Sequence, residues 1–400
     1  RGNCGAATRL PFGCERRPRV QRAAAQALGY AKRMQRGGLE HVDHLATYEP
    51  GAHVRLDPFT LDALEVVAAR EPGDAGSTLL AVLAPSTSAR GARALRSWLL
   101  RPLAQAGPVL DLLDAVEWLV GRPTDRAALR AVLSRCADLE RVGARLGGRS
   151  ANARDLVAIR STLERAGELR GLLTEAPGVL RTIRAALADL PELRNMLAAA
   201  LADDPPPAIT EGGMIRAGHH PEVDELRRLA GSGKAVLLEM QETERRATGI
   251  DTLKIQYNSV FGYFIEITRA KAAAAPARYQ RKQTLTGAER FVTPELKELE
   301  GRILGAQERL SSLERELFEA LRERAAAHAG PLRRIAAELG RLDALAGLAE
   351  AAARNGYVRP AIDPAGSLEI VEGRHPVLER ARPAFVGNDD TCDCGGCDTC

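Results

Sequence analysis

The chain has 400 residues, of which 45% are hydrophobic and 27% charged, and its formal net charge is +4. That length allows more than one buried core, and that balance excludes wholesale disorder. A net charge this small names no partner, so the placement of the cations matters more than their sum.

No run of about 18 apolar residues occurs, and no membrane span is expected. The first residue is not Met, and the opening stretch RGNCGAATRLPFGCERRPRVQR lacks the apolar centre of a signal peptide. A fragment of a cytoplasmic protein is expected. Cys4, Cys14 and Cys136 are scattered and the other four cysteines crowd the last nine residues, unlike a secreted disulfide framework.

Residues 1–21 carry no clear pattern and are expected to be disordered. Helical periodicity begins in QRAAAQALGYAKRMQRGGLEHVDHL, with an interruption at Gly37 and Gly38. RLDPFTLDALEVVAAR opens a second helix with Pro58 close to its first turn. STLLAVLAPSTSARGARALRSWLLRPL predicts a pair of helices, broken near Pro85 and stopped at Pro102. DLLDAVEWLV, RAALRAVLSRCADLERVGARL, ARDLVAIRSTLERAGELRGLL and LRTIRAALADL keep the helical period, whereas DDPPPAITEGGMIRAGHHPEVDEL reads as loop.

The stretch LKIQYNSVFGYFIEITRAKAAAAPARYQRKQTLTGAERF interrupts this helical text. Leu253, Ile255 and Tyr257 alternate with polar residues, turn chemistry follows at residues 258–262, and Tyr263 to Thr268 is rich in aromatic and β-branched residues. A β-hairpin between helices is predicted. From Lys254 to Lys282 there are six cations and a single acid, Glu266. Such a compact basic tip suits a phosphate backbone; a solvated basic loop is the plainer alternative.

A long helix is then predicted from Pro294 to His328, capped by Thr293 and roughly 50 Å long at ~1.5 Å per residue. Its apolar seam runs through Leu296, Leu299, Ile303, Ala306, Leu310, Leu313, Leu317 and Ala320. Gly330 and Pro331 punctuate it, and another helix extends to about Asn355. YVRPAIDPAGSLEIVEGRHPVLER returns to β-type alternation, the opening of a further mixed domain.

LKIQYNSVFGYFIEIT followed by YQRKQTLTGAERFVTPELKELEGRIL resembles the clamp and lever region of the MutS family of mismatch-repair proteins. LDPFTLDALEVV, GARALRSWLLRPL, DAVEWLV, DLERVGARL, ARDLVAIRSTL and the final segment through FVGND resemble the same family in the same order. The resemblance implies a mainly α fold: a helical core with long lever helices, an inserted small antiparallel β clamp, and the start of an α/β ATPase domain. It implies the end of a connector domain at 22–55, core and lever at 56–215 and 312–355, and a clamp at 216–311 with its tip at about 252–292. The ATPase domain would begin at 356–400.

By the same resemblance, two subunits form a ring on double-stranded DNA carrying mismatches or small loops. They switch with ATP and Mg2+ and signal to a MutL-type partner, in the cytoplasm at the nucleoid and with no membrane. Carried onto this sequence, the backbone contacts are Arg269, Lys271, Arg278, Arg281 and Lys282, with Gln283 and Thr284 as polar helpers. Replacing both Arg281 and Lys282 with Ala is expected to flatten the salt dependence of binding by roughly 2. Phe385, with Val386 and Asn388 beside it, would hold the adenine.

The family's N-terminal mismatch-reading domain, with its Phe-x-Glu wedge, has no counterpart before Ala23, and no G-x-x-x-x-G-K-[ST] pattern occurs. AGSGKA at 230–235 does not fit it, because Ala235 follows Lys234 and no glycine stands five residues before Gly233. No productive binding or hydrolysis of ATP is expected of this chain by itself. CDCGGCDTC is too crowded for a structural zinc site, and a loop insertion or aberrant terminus is preferred. His219, His220 and His375 lack a compact ligand set. The alternative from another class is a non-enzymatic helical scaffold whose basic island is incidental.

Overall fold

The computed structural model describes residues 17–34, 49–70, 75–83, 85–258, 262–362, 367–381 and 384–393. Among them are fourteen α-helices and six strands. The first ten helices are α1 (Pro18–Met34), α2 (Pro58–Ala63), α3 (Leu79–Leu83), α4 (Ala89–Leu100), α5 (Ala106–Val120), α6 (Pro123–Ser134), α7 (Leu139–Gly147), α8 (Ala153–Leu172), α9 (Gly178–Ala186) and α10 (Pro191–Ala200). Helix α11 (Pro221–Thr248) leads into strands β1 (Lys254–Asn258), β2 (Gly262–Thr268), β3 (Gln280–Thr284) and β4 (Ala288–Val292). Helices α12 (Pro294–Ala326) and α13 (Ala329–Asn355) follow, then β5 (Ser367–Gly373), α14 (Leu378–Ala381) and β6 (Asn388–Asp393). The mainly α expectation holds. None of the described helices is long and apolar enough to cross a membrane.

Two compact units divide the chain. The first comprises Arg1–Ser150, Ala158–Arg194 and Ala326–Cys400, and the second Ala151–Val157 and Asn195–Ala325. The expected clamp segment, 216–311, lies wholly inside the second.

In the first unit α13 is the central helix, packed against α3, α4, α5, α6, α7 and α9. Leu332, Ile335, Leu339, Leu342 and Leu345 are buried along it, and so is one carboxylate, Asp343. A charge there requires donors. The backbone N–H and hydroxyl of Thr87 and of Ser88 all donate to Asp343, at 2.5–3.0 Å. Ser88 caps α4, so the carboxylate also faces the positive end of that helix. Gly91 makes room: a Cβ there would lie 2.3 Å from Asp343 Oδ2. Arg126 ties α6 in the same way, donating to the carbonyls of Leu119 and Val120 and, at 3.1 Å, to Glu350 of α13.

The second unit contains two long helices and a four-stranded antiparallel sheet of order β1-β2-β4-β3. Helix α11 ends at Gly249, whose φ of +67° is the left-handed conformation that glycine adopts freely. Thr293 caps α12, its hydroxyl accepting from the Leu296 N–H at 3.2 Å. The sheet is therefore inserted where one rod stops and the other starts. Leu237 of α11, Leu296 and Ile303 of α12, and Ile265, Ile267 and Phe291 of the sheet share one buried cluster. Further along the rods, Arg227 donates to the buried Glu314 at 2.7 Å beside a second cluster of Ile215, Val223 and Leu313.

Several local expectations change. Helix α2 stops after six residues because Glu65 turns at a φ of +48°, which sends Val66 into the interior. The run at 123–147 is two helices, since Asp138 opens α7 as a new N-cap. Residues 221–226 are helical rather than loop, with Pro221 in the first turn of α11 and Glu222 and Asp224 at its positive end. AGSGKA lies within α11. Ala320 is exposed, and burial shifts to Phe318, Leu321 and Ala325. Gly330 and Pro331 begin α13. The turn at 259–261, residues 35–48 and the cysteines at 394, 397 and 400 lie outside the described residues.

Candidate nucleic-acid interface

The predicted hairpin is the β1–β2 pair, in register from Lys254 opposite Glu266 to Asn258 opposite Gly262. A second hairpin, β3–β4, completes the sheet through pairing of β2 with β4. Strand alternation then sorts the side chains. Ile255, Ile265, Ile267 and Phe291 occupy the face of the helix-packed cluster. Lys254, Glu266, Arg290 and Gln283 form a cross-strand row on the other.

In that row Arg290 donates to Glu266 at 3.1 Å and to Gln283 Oε1 at 2.9 Å, and its guanidinium lies 4.3 Å from the centroid of Phe264. Gln283 thus has its acceptor used and its amide N–H groups left as donors. At the β1 edge, Gln241 of α11 accepts the Ile255 N–H at 2.8 Å. The β3 edge carries Arg281, Lys282, Gln283 and Thr284 in succession. Its register slips between Arg281 and Gln283, leaving Lys282 as the bulged residue outside the ladder. A bulge with a charge is a common way to blunt a sheet edge and re-aim a side chain.

The backbone N–H of Arg269 bonds the Gly287 carbonyl in the β3–β4 turn at 3.1 Å, which sets Arg269, just past the end of β2, beside that turn. At ~3.3 Å per residue the edge is roughly 15 Å long, about four to five nucleotide steps of ~3.4 Å along one strand.

The expected contact residues are not electrostatically equivalent. Lys282 and Arg269 are exposed and have no side-chain ion pair among the described residues; Lys254, at the start of β1, is the same. Lys271 pairs with the exposed Asp251, holding its carboxyl below the usual aspartate range by hydrogen bond and charge. Arg281 lies 2.9 Å from Glu289, which is only 7% exposed and whose Oε2 has no well-aligned donor among the described residues.

Arg278 donates to Glu244 Oε2 at 2.5 Å, and the Tyr279 hydroxyl donates to the same oxygen at 2.6 Å. Burial first, then the hydrogen bond to that carboxylate, push the Tyr279 phenol upward. Tyr279 also packs on Phe291, ring centroids 5.9 Å apart, in the shared cluster. Thr284 is exposed at the end of β3. Tyr257 and Tyr263 stack on each other at 5.0 Å, as hairpin packing.

The adenine candidates sit in the first unit. Phe385 is half-buried with the Arg374 guanidinium 5.7 Å from its ring centroid, Val386 is exposed, and Asn388 opens β6. Strands β5 and β6 form a two-stranded antiparallel sheet of their own. His375 is structural, its Nδ1 accepting from the N–H groups of Val377 and Leu378 at the start of α14. Among the described residues no three His, Cys, Asp or Glu side chains gather as a metal site.

Lys254 was the cation that charge counting included and motif matching left out. The carboxylate partners Glu244, Asp251 and Glu289 fall just outside the window from Lys254 to Lys282 over which charge is counted, and nothing in the sequence says which cation each one reaches.

The family model described as MutS domain III matches residues 59–349. A protein named DNA mismatch repair protein MutS from Symbiobacterium thermophilum is 45% identical over 394 residues, covering 98% of this chain and 45% of that protein. Proteins of the same name from Desulforamulus reducens and Salinibacter ruber are each 42% identical, over 380 and 375 residues. The chain spans less than half the length of these relatives. With more than half of its residues under the family model and this identity over nearly its whole length, the chain belongs to the MutS family.

Proposed function

We propose that this chain is the core and clamp of a DNA mismatch-repair protein, and that its clamp grips duplex DNA by the phosphate backbone without reading sequence. The observation that carries this reading is the cationic edge of a small sheet inserted between two long helices. Lys282 at the β3 edge and Arg269 beside the β3–β4 turn supply free charge, Lys254 adds another from β1 at the opposite edge of the sheet, Gln283 and Thr284 supply polar donors, and Lys271 and Arg278 join by giving up carboxylate partners. Arg281 stays with Glu289, because leaving would strand a buried carboxylate. A helical pair ending in such a sheet can close over a double helix while the rods carry the load.

In the intact protein, two copies would enclose DNA that bends easily at a mispair, which is recognition by deformability. ATP with Mg2+ would switch the pair and expose a surface for a MutL-type partner. For the nucleotide, the ring of Phe385, the aliphatic Val386 and the amide of Asn388 fit a base. They would stack it and bond its edge.

The test is duplex binding by the 400-residue chain across a salt series. Three free cations, and two more that trade partners, give a slope of log K against log salt between about −2.7 and −4.5 at ~0.9 per contact. A slope near zero would favour the helical scaffold instead.

A further inference from the structure

We propose that Glu244 is a positioning residue that holds Arg278 in reserve and surrenders it to a DNA phosphate, and that Tyr279 is what makes the surrender possible. The inference rests on the reading that this sheet binds duplex DNA, and deepens it.

The geometry is asymmetric. Arg278 is nearly half exposed while the Glu244 side chain is only 13% exposed. The carboxylate oxygen that accepts from Arg278 also accepts from the Tyr279 hydroxyl. When Arg278 swings to a phosphate oxygen, Glu244 therefore keeps a donor and is not left as a bare, largely buried charge. Arg281 has no such substitute: among the described residues no second donor reaches the buried Oε2 of Glu289 that it faces, so its departure is costly. Two arginines three residues apart are thereby set to different tasks by what stands behind their partners.

Glu244 lies near the C-terminal end of α11, and Arg278 lies just ahead of β3. Trading the carboxylate for a phosphate unfastens the segment before β3 from the rod at that point. Grip on DNA and the attachment of the sheet to α11 are then linked through one side chain.

The experiment measures binding of a fluorescent duplex to the full chain, to Glu244→Gln, to Tyr279→Phe and to Glu244→Gln/Arg278→Ala, each across a salt series. Glu244→Gln frees Arg278, and affinity at low salt should rise about three- to fivefold, the worth of one partly exposed ion pair. The slope should steepen by up to ~0.9. Adding Arg278→Ala should reverse both. Tyr279→Phe removes the second donor, ties Arg278 more firmly, and should weaken binding with a flatter slope; this variant keeps the test open if Glu244→Gln unfolds. Unchanged affinity and slope in both single variants, with salt-dependent binding by the parent, overturns the positioning role alone. Absence of salt-dependent binding by the parent overturns the proposed function and this inference with it.

Discussion

Arg281 and Lys282 are neighbours on one exposed strand, and the structure predicts that they fail in different ways. Lys282→Ala removes an unpaired charge at the bulge, so the slope of log K against log salt should fall by about 0.9 with little effect on stability. Over a fourfold change of salt that is a difference of roughly threefold in affinity. Arg281→Ala removes the only counter-charge of Glu289 among the described residues, and Glu289 is 7% exposed. Loss of one partner of a fully buried pair costs about 3–5 kcal/mol. Arg281 itself is 58% exposed at the side chain, and that screening brings the expected loss to about 1–3 kcal/mol.

Adding Glu289→Gln should recover most of this loss, because a neutral amide in that place needs no counter-charge. The double variant Arg281→Ala/Lys282→Ala should flatten the slope by about 1, half of what counting charges along the sequence implies. Anisotropy titrations over a salt series give the slopes, and urea melts give the stabilities. Equal slope changes for the two single variants, or an Arg281→Ala protein as stable as the parent, would refute the assignment.

Asp343→Ala should destabilise the first unit by about 2–4 kcal/mol, since the N–H groups of Thr87 and Ser88 lose their acceptor; a urea midpoint unmoved by the change would contradict this. Asp138, which caps α7, is held below the ordinary aspartate range: burial opposes its ionisation, but the hydrogen bond and charge of Arg93 outweigh it. A depressed folded pKa contributes stability above the unfolded value of about 3.9, and that stability is lost as pH falls through the folded value. Asp138→Asn should therefore have a shallower loss of stability below about pH 5 than the parent, and parallel curves would remove the Arg93–Asp138 pair from the account. Gly262→Ala should cost about 1–3 kcal/mol, because φ there is +77° and a Cβ would meet the Glu300 carboxylate. Faster amide exchange in β1 and β2 would locate the damage, and unaltered protection would show that the hairpin absorbs the methyl.

Much of the secondary structure was legible because its causes are local. Thr293 and Pro294 start α12 by capping and by fixed φ, and the alternation from Leu253 to Ile267 can only bury one face if it is a strand. Where local signals fell short, a longer-range demand intervened. Helix α6 stops at Ser134, and Asp138 begins α7 as a separate helix by capping it while bonding Arg93, 45 residues away. The β3–β4 hairpin is polar along β3 and shows no alternation to read, and its place is set by pairing of β4 with β2.

By itself the sequence determined where charge concentrates, most of the helices and the first hairpin, and the family whose order of segments it shares. It could not determine which of those cations are free. That depended on tertiary structure, because a carboxylate neutralises whichever base folding brings within about 3 Å, regardless of separation along the chain. Glu244 reaches Arg278 across 34 residues, and Asp343 reaches Ser88 across 255. Charge density is a property of the chain, whereas available charge is a property of the fold.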